Sequence, residues 1–177
     1  MSELKFATRL NSFASGAYLY WPELKGKPSV LQMIERAATV KGLTHLDLNY
    51  PQHMTDDIKT MRQKIEEVGL AVNGMQMRWD APQFKIGAFT HPDPKIRRQA
   101  IELTKRGIDA GREFGASIMT LWMGQDGFDY CFQADYKKMW EDAVGAVREV
   151  AEYAPDIDVS IEYNPNEPRA YSIFPHA

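Results

Sequence analysis

Cysteine is nearly absent: Cys131 is the only one in 177 residues. That excludes an internal disulfide and any zinc site built from several thiolates, and it suits a reducing compartment. A lone cysteine of this kind is expected to be a small, buried, apolar residue. Long apolar runs are missing as well. Nowhere do about 18 apolar residues follow one another, and Met1 to Arg9 mixes charges with short apolar pairs, unlike a secretion signal. Basic charge is not in excess: 21 Lys and Arg stand against 24 Asp and Glu, for a net charge of −3 without a basic stripe or tail. Nucleic acid and anionic membrane surfaces are therefore excluded as expected partners, and the expected location is the cytoplasm. Two glycine signatures are also lacking. No G-x-G-x-x-G follows the first apolar run and no G-x-x-x-x-G-K-[ST] occurs, so the phosphate cradles of open nucleotide-binding sheets are not there.

What is present is a repeated alternation of a short apolar run, a polar or glycine-bearing loop, and an amphipathic helix, the pattern of βα units in a parallel sheet. With 44% hydrophobic residues the chain can bury a core, and residues 1–177 read as one domain. The first strand is expected over Lys5 to Phe13. Ser29 then caps a helix carrying Val30, Met33, Ile34 and Ala37 on one face. A second strand, Leu43 to Asn49, leads through Asp57 into a helix with Ile58, Met61, Ile65 and Val68 inward. The third strand runs from Ala71 to Arg78, and a long loop reaches Pro94 before the helix of Lys95 to Phe114. A fourth strand, Ser117 to Trp122, precedes the loop Met123–Gly127 and the helix capped by Asp135, with Met139, Ala143, Val147 and Val150 inward. The fifth strand is Asp158 to Tyr163.

Five strands and four helices in strict alternation fit either an open doubly wound sheet or the first units of a (β/α)₈ barrel. The missing phosphate cradles and the polar residues gathered just after each strand favour the barrel. The expected fold class is α/β, a partial TIM-type (β/α) barrel.

The richest stretch chemically is Ile161-Glu162-Tyr163-Asn164-Pro165-Asn166-Glu167-Pro168-Arg169. A glutamate at the end of a buried parallel strand needs compensation, either a divalent cation or an arginine such as Arg169. The stretch resembles the strand-five motif of xylose isomerases, E-P-K-P-N-E-P-R. Phe84-Lys85-Ile86-Gly87-Ala88-Phe89-Thr90, Arg97-Arg98-Gln99-Ala100, Gly115-Ala116 and Leu121-Trp122-Met123-Gly124-Gln125-Asp126-Gly127 are similar to further stretches of the same family. The resemblance implies that Glu162 is a metal ligand, that Trp122 walls a sugar pocket with Trp79 packed beside it, and that Asn49, His53, Asn164 and Glu167 contact the sugar or its ligands. It departs from the family where Asn164 replaces a lysine, since an amide supplies neither charge nor proton. Asn49 likewise stands where a histidine is expected, with His53 four residues on. His45, His91 and His176 are expected to be structural or solvated.

The resemblance further implies a divalent cation, Mn²⁺, Mg²⁺ or Co²⁺, a monosaccharide substrate, and aldose–ketose isomerisation. The family's other metal ligands lie on later strands, so one glutamate does not complete the site. The expectation is a barrel cut after strand five, either a non-catalytic fragment or structural subunit, or a chain completed by another copy or a partner. A sugar epimerase or glycoside-cleaving lyase of the same superfamily is the other reading.

Overall fold

The structure, a computed structural model, describes residues 4–176. In chain order its elements are β1 (Ala7–Arg9), α1 (Ala17–Tyr20), α2 (Val30–Ala38), β2 (His45–Tyr50), α3 (Ile58–Glu67), β3 (Ala71–Met77), α4 (Pro94–Phe114), β4 (Ile118–Trp122), β5 (Gly127–Phe128), α5 (Tyr136–Tyr153), β6 (Asp158–Glu162) and β7 (Tyr171–Ser172). The four long helices start on side chains that take up their free N–H groups. Ser29 and Gln32 form a reciprocal capping box at α2, with bonds of 3.2 and 2.9 Å. Asp57, Asp93 and Asp135 cap α3, α4 and α5 at 2.9, 2.8 and 3.0 Å.

The strands β1-β2-β3-β4-β6 form one sheet in that order, all parallel. Successive parallel neighbours joined by right-handed crossovers place every crossover helix on the same side. One face of the sheet therefore carries the apolar core. Leu46, Leu48, Met75, Met77, Met119 and Leu121 alternate along the strands and are nearly all without exposure. Helix α4 lies close on this face. A β-carbon at Gly107 would come within 2.9 Å of the Tyr50 ring and 3.2 Å of the Met119 methyl, so the helix can approach only because residue 107 is glycine. The opposite, inward face is polar, and the ladder aligns Asn49, Gln76, Thr120 and Ser160 in one row across it. A strip of β5 and β7, antiparallel, ties the loop after β4 to the segment after β6, with the Phe128 and Tyr171 rings stacked at 5.0 Å.

The parallel sheet and its long helices match the expected partial (β/α) barrel. Three local expectations are corrected. The first strand stops at Arg9, and Leu10–Phe13 is a 3₁₀ turn that drops Leu10, with no exposure, into the core where α2 packs. Cys131 is exposed rather than buried, because the segment between β5 and α5 loops outward. The short α1 and the β5–β7 strip were not expected; each is too short to show a period in the sequence.

Adjacent residues of β4 face opposite ways, and their contributions to stability should differ accordingly. Met119→Ala is expected to cost about 2–5 kcal/mol in urea unfolding, and Thr120→Ala only about 0.5 kcal/mol. Equal costs would refute the assignment of faces.

Candidate active site at the strand ends

Parallel strands bring their C-terminal ends to one rim, and in a barrel that rim holds the site. Trp122 and Glu162 close β4 and β6 as direct ladder partners. Trp122 packs closely against Gly124: a β-carbon there would come within 2.5 Å of its ring, so only glycine fits. Arg78, one residue past β3, lies over the Trp122 ring with its guanidinium carbon 4.3 Å from the centroid, a cation–π contact. Arg9, ending β1, places Nη2 3.8 Å from Glu162 Oε2. The first and last strands of the sheet are thus bridged across the concave face. Both partners are about a third exposed, so the bridge is loose and weak. The arginine that meets Glu162 is therefore Arg9, not Arg169, which pairs with Asp129 at 3.2 Å.

Asn49 and His53 come together on the β2 side. His53 Nδ1 accepts the Asn49 backbone N–H at 2.9 Å, which leaves the proton of the neutral ring on Nε2. Burial, with the positive Arg78 nearby, lowers the His53 pKa to about 4. The imidazole is thus a fixed hydrogen-bond donor at neutral pH and not a base. Asn49 is buried and its Oδ1 has no partner among the described residues. Asn164 and Glu167 instead meet each other, the Asn164 amide donating to the Glu167 carbonyl within the turn after β6, while the Glu167 side chain is exposed. Trp79 sits in the helix-side core, 4% exposed, edge-on to Phe89 at 4.9 Å, its Nε1–H directed at the Ala100 carbonyl at 3.4 Å.

Two residues important to this rim were not singled out by the sequence. Arg78 lies beside Trp122, acts on His53, and feels Arg9 and Glu162; burial and Arg9 both lower its pKa. Its signal was parity, since Gly74, Gln76 and Arg78 share one face of β3. Asp126 is fully buried in the loop after β4. Its Oδ1 accepts Ala88 N–H at 3.0 Å, Thr90 N–H at 2.7 Å and the Thr90 hydroxyl at 2.8 Å, while its carbonyl accepts Ile173 N–H at 2.9 Å. Asp126 therefore fastens three segments together, its carboxylate holding the loop after β3 to the loop after β4 and its backbone carbonyl holding the segment beside β7. Its Oδ2 is buried without a partner, and burial pushes its pKa up to about 6 against those hydrogen bonds.

A divalent cation needs several oxygen or nitrogen donors. Among the described residues no three His, Cys, Asp or Glu side chains gather to hold one. At the rim Glu162 stands beside two guanidinium groups. This donor set does not fit a divalent cation by itself. Away from this rim, a cavity of about 600 Å³ opens between the first turns of α4 and α5. Its cations are already engaged: Arg97 with the His91 and Pro92 carbonyls, Lys138 with Asp142, and Arg169 with Asp129.

The pKa of Asp126 fixes the sign of a pH effect. A carboxyl whose folded pKa is raised favours the folded state when protonated, so its contribution is full below about pH 4 and is lost as pH rises to about 6. The melting temperature of Asp126→Asn minus that of the wild type should therefore rise between those limits and level off above them. A flat difference would contradict the burial of Asp126. His53 has the opposite sign, costing stability as pH falls from 6.5 towards 4.

The sequence pattern described as xylose isomerase-like TIM barrel matches residues 34–172. A xylose isomerase of Thermus thermophilus is 32% identical over 124 residues, covering 67% of this chain and 32% of that protein. A probable sugar isomerase of Rhizobium meliloti is 27% identical over 159 residues, covering 83% of this chain and 37% of its own length. Among solved structures, the D-psicose 3-epimerase of Clostridium cellulolyticum H10 superposes with a TM-score of 0.67 at 21% identity, over 96% of this chain and 55% of that one. The chain thus spans about a third of the curated relatives' length and about half of the epimerase. With the matched pattern covering most of its length, this chain belongs to the xylose isomerase-like TIM-barrel family.

Proposed function

We propose that the protein is a sugar isomerase that interconverts aldose and ketose forms of a monosaccharide held at the strand-end rim. The observation that carries the reading is the Trp122–Glu162 pair closing β4 and β6, each within a stretch that resembles a xylose isomerase motif. An indole face suits the C–H side of a sugar, and polar groups around it suit the hydroxyls. Trp122 supplies the face, and Glu162 and Asn49 supply acceptors. The His53 Nε2–H supplies a fixed donor. Asn164 and Glu167 hold the turn beyond Glu162 and act on the sugar only through that turn.

Glu162 is proposed as one ligand of a divalent metal, which when bound would polarise the sugar's carbonyl and hydroxyl oxygens. Its remaining donors must come from outside the described residues, and we propose a second copy or a completing chain as their source. The outer edges of β1 and β6 have no strand neighbour among the described residues, which supports association there. The single Cys131 supports a reducing, cytoplasmic setting. No helix of the described residues is long and apolar enough to cross a membrane.

The test is calorimetric titration of the 177-residue chain with Mn²⁺ and with a panel of aldoses and ketoses, alongside a ketose-formation assay. The reading expects saturable monosaccharide binding that Trp122→Ala abolishes. Mn²⁺ alone should bind no tighter than about the millimolar range, because one carboxylate is a poor cage. Mixing with a chain that supplies further carboxylates should tighten metal binding and start turnover, and Glu162→Ala should cancel both. Sugar binding indifferent to Trp122→Ala would overturn the reading.

A further inference from the structure

Resting on that reading of the rim, we propose that the substrate is an anionic monosaccharide, a sugar bearing a carboxylate or phosphate that Arg9 and Arg78 receive together. Two guanidinium groups stand around one pair of strand ends: Arg9 reaches Glu162, and Arg78 stacks on Trp122, the direct ladder partner of Glu162. Like charges are not brought together in a half-buried site without something to satisfy them. The neighbouring carboxylates do not do so. Glu162 approaches Arg9 only to 3.8 Å, and it is itself more than a third exposed. Asp80, the other carboxylate acting on Arg78, is exposed and accepts the Gln52 amide at 2.5 Å. The ring of Trp122 covers one face of Arg78 but takes none of its N–H groups.

The hydrogen-bond inventory points the same way. A guanidinium carries five N–H donors in a planar fork. Arg9 Nε and Nη2 are buried without an acceptor among the described residues, and the contact that Arg78 makes with Trp122 is to the ring and uses none of its N–H donors. Neutral sugar hydroxyls would satisfy some donors, but a planar carboxylate or a phosphate matches two forks by shape and charge. The stacking on Trp122 holds Arg78 in one orientation, so little freedom is lost when an anion arrives. His53 reinforces the selection, because its Nε2–H adds a donor without adding a competing anion. In the cavity between α4 and α5 each cation already has a carboxylate partner, Asp142 for Arg97 and Lys138 and Asp129 for Arg169, although Arg169 Nε is also left without an acceptor among the described residues.

The 177-residue chain should be titrated calorimetrically with D-glucuronate, D-glucose 6-phosphate, D-glucose and inorganic phosphate. One or both anionic sugars should bind about tenfold or more tightly than D-glucose, and high salt should erode that advantage. A preference between them names the source of the charge, carboxylate or phosphate. Arg78→Gln and, independently, Arg9→Gln should each remove most of the advantage of the anionic sugars over D-glucose. Arg148→Gln, which removes an exposed charge on α5, should change nothing. Two separate variants keep the test decisive if one fails to fold. D-Glucose binding as tightly as its anionic counterparts, or an advantage that survives both variants, overturns the inference while leaving the sugar reading intact. Inorganic phosphate binding through Arg9 and Arg78 with no gain from any sugar supports the guanidinium site and sinks the sugar reading. No binding by any of the four overturns the inference for this chain.

Discussion

A parallel sheet covered by helices on one side only is the constraint from which the rest follows. Every crossover in this chain returns on the same face, so that face can be wholly apolar and α4 can press down to Gly107. The other face has no helix to cover it among the described residues. Its row of Asn49, Gln76, Thr120 and Ser160 is polar because those side chains need partners other than a hydrophobic layer. Curvature follows from the accumulated twist of neighbouring strands, and it carries Arg9 on one edge to Glu162 on the other. The site is thus a by-product of how the sheet is covered, and its chemistry is set by which residues stand last on each strand.

Holding those strand ends still is a separate task, and Asp126 performs it. Loops between elements carry backbone groups that strands and helices do not satisfy, and mobile loops would blur the rim. A single carboxylate oxygen taking three donors from the loop after β3 locks that loop to the one after β4. The cost is a buried carboxyl with a raised pKa and one oxygen left alone. Such strain is tolerated where it fixes geometry that matters, here the loop bearing Gly124 and therefore the ring of Trp122.

Much of this was legible from residue order. Alternation of apolar runs and amphipathic helices encodes the parallel sheet, and Ser29, Asp57 and Asp135 mark helix starts because a side-chain oxygen is the local answer to unsatisfied N–H groups. Glu162 stood out as a carboxylate at a strand end, and Trp122 through the resemblance of its stretch to xylose isomerases. The pairing of Glu162 with Arg9 was not legible, since that contact depends on the curvature of the whole sheet and joins residues far apart in the sequence. Arg78 and Asp126 were missed for a related reason: each acts through residues far along the chain, and neither breaks a local pattern. Trp79 and Trp122 look alike in sequence yet differ in place, one in the helix-side core and the other at the rim, because only Trp122 has the parity of Glu162.

The rim that results is rich in donors and short of acceptors. Arg9 and Arg78 are permanently charged, and His53 is kept neutral by burial and by Arg78, so its Nε2 remains a donor across the physiological range. Against these stand Glu162 and the lone Asn49 Oδ1. A ligand that completes this balance must bring oxygen acceptors, and must present them to forks fixed on β1 and past β3. A divalent cation brings the opposite, a demand for acceptors, and at this rim would compete with Arg9 for Glu162. An anionic sugar, which brings its own oxygens to both forks, would meet no such competition for Glu162.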